Sequence, residues 1–304
     1  MMRFTTMKTK LRKYPSIFLI LLLAISSCFL TGCVNQHPKD SKKSSQGESV
    51  ETMLEITDPK EKQAVLNAKA KVKALSGNPR IVATSPAVAD ICDKLDLDLV
   101  GVPKSSVSKI PSRYKKVKKV GLAMSPDMEI VSSLNPDWIL APSSLETDLK
   151  PKFEELKNTE YAFLNLRSVQ GMYRSAQELG EIFGKQQEAE KMTKEFTTFY
   201  KSYTKRNKNK KHPKVLVLMG LPGSYVIATE NSYIGSLVKL AGGENVYQNT
   251  DQEFLTVNTE DMKKKEPDII VRAAHALPDQ VTKMFNEDFE TCLLYTSPSP
   301  RDCS

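Results

Sequence analysis

Met124 lies in Gly121-Leu122-Ala123-Met124-Ser125-Pro126, and His275 in Ala273-Ala274-His275-Ala276-Leu277-Pro278. One offers a soft thioether, the other an imidazole. Brought together from two directions, such a pair can ligate one haem iron on both axial faces. Each residue also has a plainer role. Methionine fills gaps in cores, and a single histidine often hydrogen-bonds within its own loop. His275 follows the apolar run 268–271 by four residues. Loops after parallel strands gather at the carboxyl edge of a sheet, where α/β proteins bind ligands. A third feature is Thr84-Ser85-Pro86-Ala87-Val88, where a strand gives way to a helix. Backbone N–H groups over Thr84, Ser85, Ala87 and Val88 would suit an anion such as a haem propionate. Ser85 as an ordinary N-cap, with Pro86 at the first helical position, accounts for the same residues.

Catalytic patterns are absent: the chain has no GxGxxG, P-loop, HExxH, CxxC or GxSxG. His37 and His212 fall in polar segments, which argues against a multi-histidine metal site. The best hydrolytic set is Ser224 or Ser85 with His275, but no motif places an acid to orient that histidine. The residues favour binding over turnover, so no enzyme activity is expected.

Two lobes must position these groups. From Arg80 onward, short apolar runs alternate with amphipathic segments, the α/β order that favours a mainly parallel sheet. Strands are predicted at 81–83, 99–102, 138–141 and 161–164, with helices at 87–95, 127–134 and 145–156. Apolar residues from Met172 to Tyr203 then recur every three or four positions. The spacing predicts one connecting helix over 169–205, about 55 Å long. After the polar stretch 205–214, α/β order resumes, with strands at 215–219, 225–228 and 268–271 and a helix near 233–241. The expected fold class is therefore α/β: two α/β lobes joined by one long helix, with a ligand cleft between them. A repeat supports the two lobes. Glu129 precedes Pro136-Asp137 by seven residues and Glu260 precedes Pro267-Asp268 by seven, the units being 131 residues apart.

The 304 residues carry 44 Lys+Arg against 36 Asp+Glu, a net charge of +8. Five of those cations (Arg3, Lys8, Lys10, Arg12 and Lys13) precede an apolar run at 16–30, and residues 1–32 contain no acid. Removing that segment leaves an ordinary +3, so the basicity is a targeting signal and no nucleic-acid partner is expected. Leu30-Thr31-Gly32-Cys33 has the form of a bacterial lipobox, with Cys33 as the lipidated first residue; Cys28 is a poorer alternative. The polar segment 34–50 reads as a tether. Cys92, among apolar residues, reads as a small buried hydrophobe.

These segments carry a resemblance. The lipobox, RIVATS (80–85), DKLDLDLVGVP (93–103), PSRYKKVKKVGLAM (111–124), the stretch 212–246 and NTEDMKKKEPDIIVR (258–272) are similar to the haem-binding lipoproteins of iron-regulated surface determinant uptake systems. Those belong to the helical-backbone class of ABC-importer substrate-binding proteins. The resemblance implies haem as the transported ligand, with Met124 and His275 as its axial ligands. It also implies docking of Glu129 and Glu260, one per lobe, onto arginines of an ABC permease. A cell-surface haem donor upstream, a lipid anchor on the outer face of a Gram-positive cell membrane and a monomeric state complete the expectation. A ferric siderophore or a corrinoid in the same fold is the alternative. Lys104-Ser105-Ser106-Val107 departs from the Tyr/Lys-bearing loop expected there, which weakens propionate contacts from it. The expected organisation is signal peptide 1–32, anchored tether and short helix 33–79, first lobe 80–168, connecting helix 169–207 and second lobe 208–290. The second lobe reads as truncated, and the tail 291–304 as adapter-derived.

Overall fold

The computed structural model describes residues 3–4, 54–106, 108–221, 223–274 and 278–292. The apolar leader core, Cys33, the tether 34–50, His275 and the end of the tail lie outside the described residues. The first lobe is built from β1 (Arg3–Phe4), α1 (Pro59–Lys73), β2 (Ile81–Ala83), α2 (Pro86–Lys94), β3 (Leu99–Val102), β4 (Lys118–Lys119), β5 (Gly121–Leu122), β6 (Ser125–Pro126), α3 (Met128–Ser133), β7 (Trp138–Pro142), α4 (Glu146–Glu154) and β8 (Glu160–Leu164). Its main sheet runs β1-β8-β7-β2-β3-β4. All pairs are parallel except the edge pair β1–β8.

Short, wholly apolar strands mark a sheet covered on both faces. Ile81, Ala83, Trp138, Leu140 and Leu164 face α2 and the helices after β8. Val82, Ile139, Ala141, Tyr161 and Phe163 face Val131, Leu149 and Phe153 of α3 and α4. Phe153 stacks on Phe163 with ring centroids 5.7 Å apart. Cys92 is wholly buried, and burial pushes its thiol up to about 12, so it is the inert hydrophobe its neighbours predicted.

The expected single helix over 169–205 is two helices. α5 (Val169–Phe183) ends at Gly184, which adopts φ +72°, and α6 (Gln186–Asn207) folds back along it. Left-handed backbone at Gly184 supplies the C-cap that reverses the chain. Tyr173 stacks on Phe196 at 4.5 Å, and a Cβ on Gly180 would sit 2.7 Å from that of Ala189. α6, about 33 Å long, carries the chain from the first lobe to the second. At its start Lys185 pairs with Asp96 at 3.0 Å; near its end the Tyr203 hydroxyl donates to the Ala241 carbonyl at 2.8 Å. The hairpin also buries an acid: Glu178 of α5 lies beside Glu61 of α1. Burial, with the neighbouring carboxylate, pushes Glu178 up to about 9.

The second lobe contains β9 (Lys214–Leu221), β10 (Ser224–Ala228), α7 (Tyr233–Leu240), β11 (Glu244–Asn245), β12 (Phe254–Leu255), α8 (Thr259–Lys264), β13 (Ile269–Ala274) and α9 (Pro278–Cys292). β13 runs parallel to β9 from Val215 to Gly220. On the other side of β9, β10 is antiparallel and β11 parallel. The sheet is thus mixed, where parallel order was expected. The tight link at Gly223 (φ +80°) is too short for a parallel crossover. Leu216 and Leu218 face Met262, Val281 and Phe285; Val215 and Val217 face Val238. β13 is less covered, with Ile269 45% and Ile270 37% exposed.

Candidate functional site

The 131-residue repeat is present in the backbone. Asp127 caps α3 by accepting from the Glu129 and Ile130 N–H groups, and Asn258 caps α8 by accepting from Asp261. Val131 and Met262 are the buried anchors of the two helices. Asn135 and Glu266 both take positive φ, +43° and +47°, to turn the chain out of the helix. The Asp137 carboxylate then accepts the Arg80 N–H at 2.7 Å, and Asp268 accepts the Lys214 N–H at 2.8 Å, each pinning the start of a neighbouring strand. In this frame Glu129 and Glu260 occupy the same place in the two lobes. Both are exposed in a first helical turn, where the dipole favours a carboxylate.

Met124 sits on the link between β5 and β6, which pair as a short hairpin. Gly121 permits that hairpin: it takes φ +97°, and a Cβ there would meet the Asp127 nitrogen at 3.0 Å. The Lys104 N–H holds the hairpin from the side, donating to the Gly121 carbonyl at 2.6 Å. Met124 is 75% exposed and fills no core gap, so the plainer role for it does not hold here. His275 is the residue after β13 and lies outside the described residues.

At the β2–α2 junction the N-cap reading is the one adopted. Ser85 accepts the Val88 N–H at 3.3 Å, which removes a donor from the expected anion nest. Thr84 is buried, with its hydroxyl and N–H both directed at the Leu140 carbonyl. Ala87 is exposed at the helix start and Val88 is buried. Ser224 is exposed at the start of β10.

Sequence reasoning missed a polar interlobe region. A cavity of about 380 Å³ is lined by Asn165, Arg167 and Ser168 after β8, and by Glu230, Asn231 and Asp251 of the second lobe. A neighbouring cavity of about 470 Å³ shares Asn165 and Arg167 and extends to Ser143 and Lys150. Arg167 forms an ion pair with Glu253 across the lobes, and the Val169 N–H donates to the Ser236 hydroxyl at 3.2 Å. The available signal was positional: Asn165 and Arg167 directly follow a strand of the parallel sheet.

Comparisons with known proteins agree with this architecture. The family model described as "Periplasmic binding protein" matches residues 81–295. The high-affinity heme uptake system protein IsdE of Staphylococcus aureus (strain Newman) is 42% identical over 216 residues, 71% of this chain and 73% of that protein. An ABC transporter substrate-binding protein from Listeria monocytogenes EGD-e superposes with a TM-score of 0.66 at 47% identity, covering 71% of this chain and 83% of its own. S. aureus IsdE complexed with heme superposes with a TM-score of 0.66 at 40% identity, covering 72% and 84%. Two α/β lobes bridged by α6, with paired helix starts at equivalent places and a family match across most of the sequence, lead to one conclusion: the chain belongs to the periplasmic binding protein family.

Proposed function

We propose that this protein is an extracytoplasmic, lipid-anchored binding protein that captures haem between its lobes and delivers it to an ABC permease. The observation that carries the reading is Met124, a thioether held in solvent on a glycine-dependent hairpin. A methionine so placed contributes nothing to a core and is available as a soft ligand. The similarity to a heme uptake protein and to a heme-bound structure supports the same ligand. His275, which follows Ala274 in the sequence, supplies the imidazole. Two protein ligands leave the iron no open position for O₂, so the site carries haem and catalyses nothing. The start of α2 remains the electropositive end for a propionate through its dipole and the exposed Ala87 turn, although Thr84, Ser85 and Val88 are already engaged locally. Glu129 and Glu260 present matching carboxylates for arginines of the permease. Cys33 bears the lipid, and a cell-surface protein donates the haem.

Titrating haem into the protein while recording its visible absorption tests the reading. The expected result is saturable one-to-one binding with a six-coordinate low-spin spectrum that changes in both Met124→Ala and His275→Ala. Binding unaffected by either substitution would remove both residues from the site. A folded protein that takes up no haem would point to the siderophore or corrinoid alternative.

A further inference from the structure

The seven residues from Lys205 to Lys211 contain five cations and no acid. They form the last turn of α6 and the turn after it, and all five cationic side chains are exposed. The Tyr203–Ala241 hydrogen bond brings the end of α7 alongside, adding the exposed Lys239. None of Lys205, Arg206, Lys208, Lys210, Lys211 and Lys239 forms an ion pair among the described residues. Two helix ends offset part of this charge through their dipoles, about half a charge each. The carboxylates at the neighbouring strand starts are Glu244 and Asp268, and Asp268 is held by the Lys214 N–H. A strong positive excess remains.

Apolar groups adjoin it. Phe199 of α6 is 60% exposed and stacks on Tyr203 at 6.2 Å, and Leu237 of α7 is 43% exposed. Cations beside outward-facing aromatic and aliphatic side chains match the interfacial layer of an anionic bilayer, where rings sit among headgroups and ammonium groups meet phosphates. The surface lies at the amino end of β9 and of β11 and β13, which run parallel to it. The eight residues of β9, about 25 Å of extended chain, separate it from the opposite edge of that sheet.

We propose that this basic end of the second lobe docks onto anionic phospholipid headgroups, with Phe199 and Leu237 entering the interface. The inference does not depend on which ligand occupies the cleft.

Co-sedimentation of the full chain with vesicles tests it, using equal parts phosphatidylglycerol and phosphatidylcholine against phosphatidylcholine alone. The basic leader is common to every variant, so differences between variants report this surface. Each charge removed should weaken partitioning roughly fivefold. Lys208→Gln/Lys210→Gln/Lys211→Gln together should therefore lose on the order of 100-fold on anionic vesicles, a deficit that shrinks at high salt. Phe199→Ser should bind the same vesicles several-fold more weakly without changing the salt dependence. Equal sedimentation of wild type and triple variant overturns the proposal. So does selective, charge-dependent binding to soluble polyphosphate with no binding to vesicles, which would make the surface a polyanion site.

Discussion

The two lobes share one local device and differ in everything built around it. Asp127 to Asp137 and Asn258 to Asp268 repeat the same sequence of cap, buried anchor, positive-φ exit and strand-pinning carboxylate. Around the first unit stands a sheet with every main strand parallel and helices on both faces; around the second stands a mixed sheet whose β13 leaves two isoleucines partly open. Backbone hydrogen bonds at a helix start are satisfied within about ten residues, whatever sheet follows. Core packing depends on the whole lobe. The unit carrying Glu129 and Glu260 can therefore stay alike while the lobes diverge.

Substitutions can break or sharpen this contrast. Phe153→Ala, which empties a wholly buried site between α4 and the first sheet, should cost about 3–5 kcal/mol in denaturant unfolding. Ile269→Ala in β13 should cost less than about 1 kcal/mol, because nearly half of that side chain is already in water. Equal costs would mean that the second lobe is as tightly covered as the first. Next in size are Asp137→Ala and Asp268→Ala, each expected to lose about 1–2 kcal/mol by leaving a strand-entry N–H without its carboxylate. A large inequality between them would show that the two units are not equivalent.

Glu178 tests the hairpin, which docks on the first lobe. Its carboxyl stays protonated in the folded state up to about pH 9 but ionises near 4.5 when unfolded. The unfolded chain therefore binds fewer protons between those values, and stability falls as pH rises through that window. Glu178→Gln should raise the melting temperature at pH 8, with the gain fading toward pH 5. A gain independent of pH would assign the effect to packing. Smallest is Arg167→Ala, which removes the half-exposed interlobe ion pair. It should cost no more than about 1 kcal/mol, and small-angle scattering should register lobe separation if the pair holds the lobes together.

Strand positions were legible because apolar runs of three to five residues between polar turns leave little choice, and 81–83, 99–102 and 138–141 coincide with β2, β3 and most of β7. Cys92 was legible for the same reason. The break at Gly184 was not, since α5 and α6 both bury one stripe and their periodicities run on across the turn; Gly184-Lys185 was the only mark of it. The antiparallel β10 was signalled by Pro222-Gly223 between two apolar runs, a hairpin link too short for a crossover. Arg167 and Glu253 meet from 86 residues apart, and no spacing rule reaches that far. Exposure of Met124 was equally invisible, because composition does not say which way a hairpin points.

α6 also sets the mechanical scale of the molecule. A single helix of about 33 Å, gripped by Lys185 at one end and Tyr203 at the other, behaves as a strut and not as a cord. Rocking it by about 5° about its first turn carries the far end only about 3 Å. Because Tyr173 and Gly180 of α5 also pack against the first half of α6, a change of angle between the lobes is concentrated at its far end, around the Tyr203–Ala241 hydrogen bond.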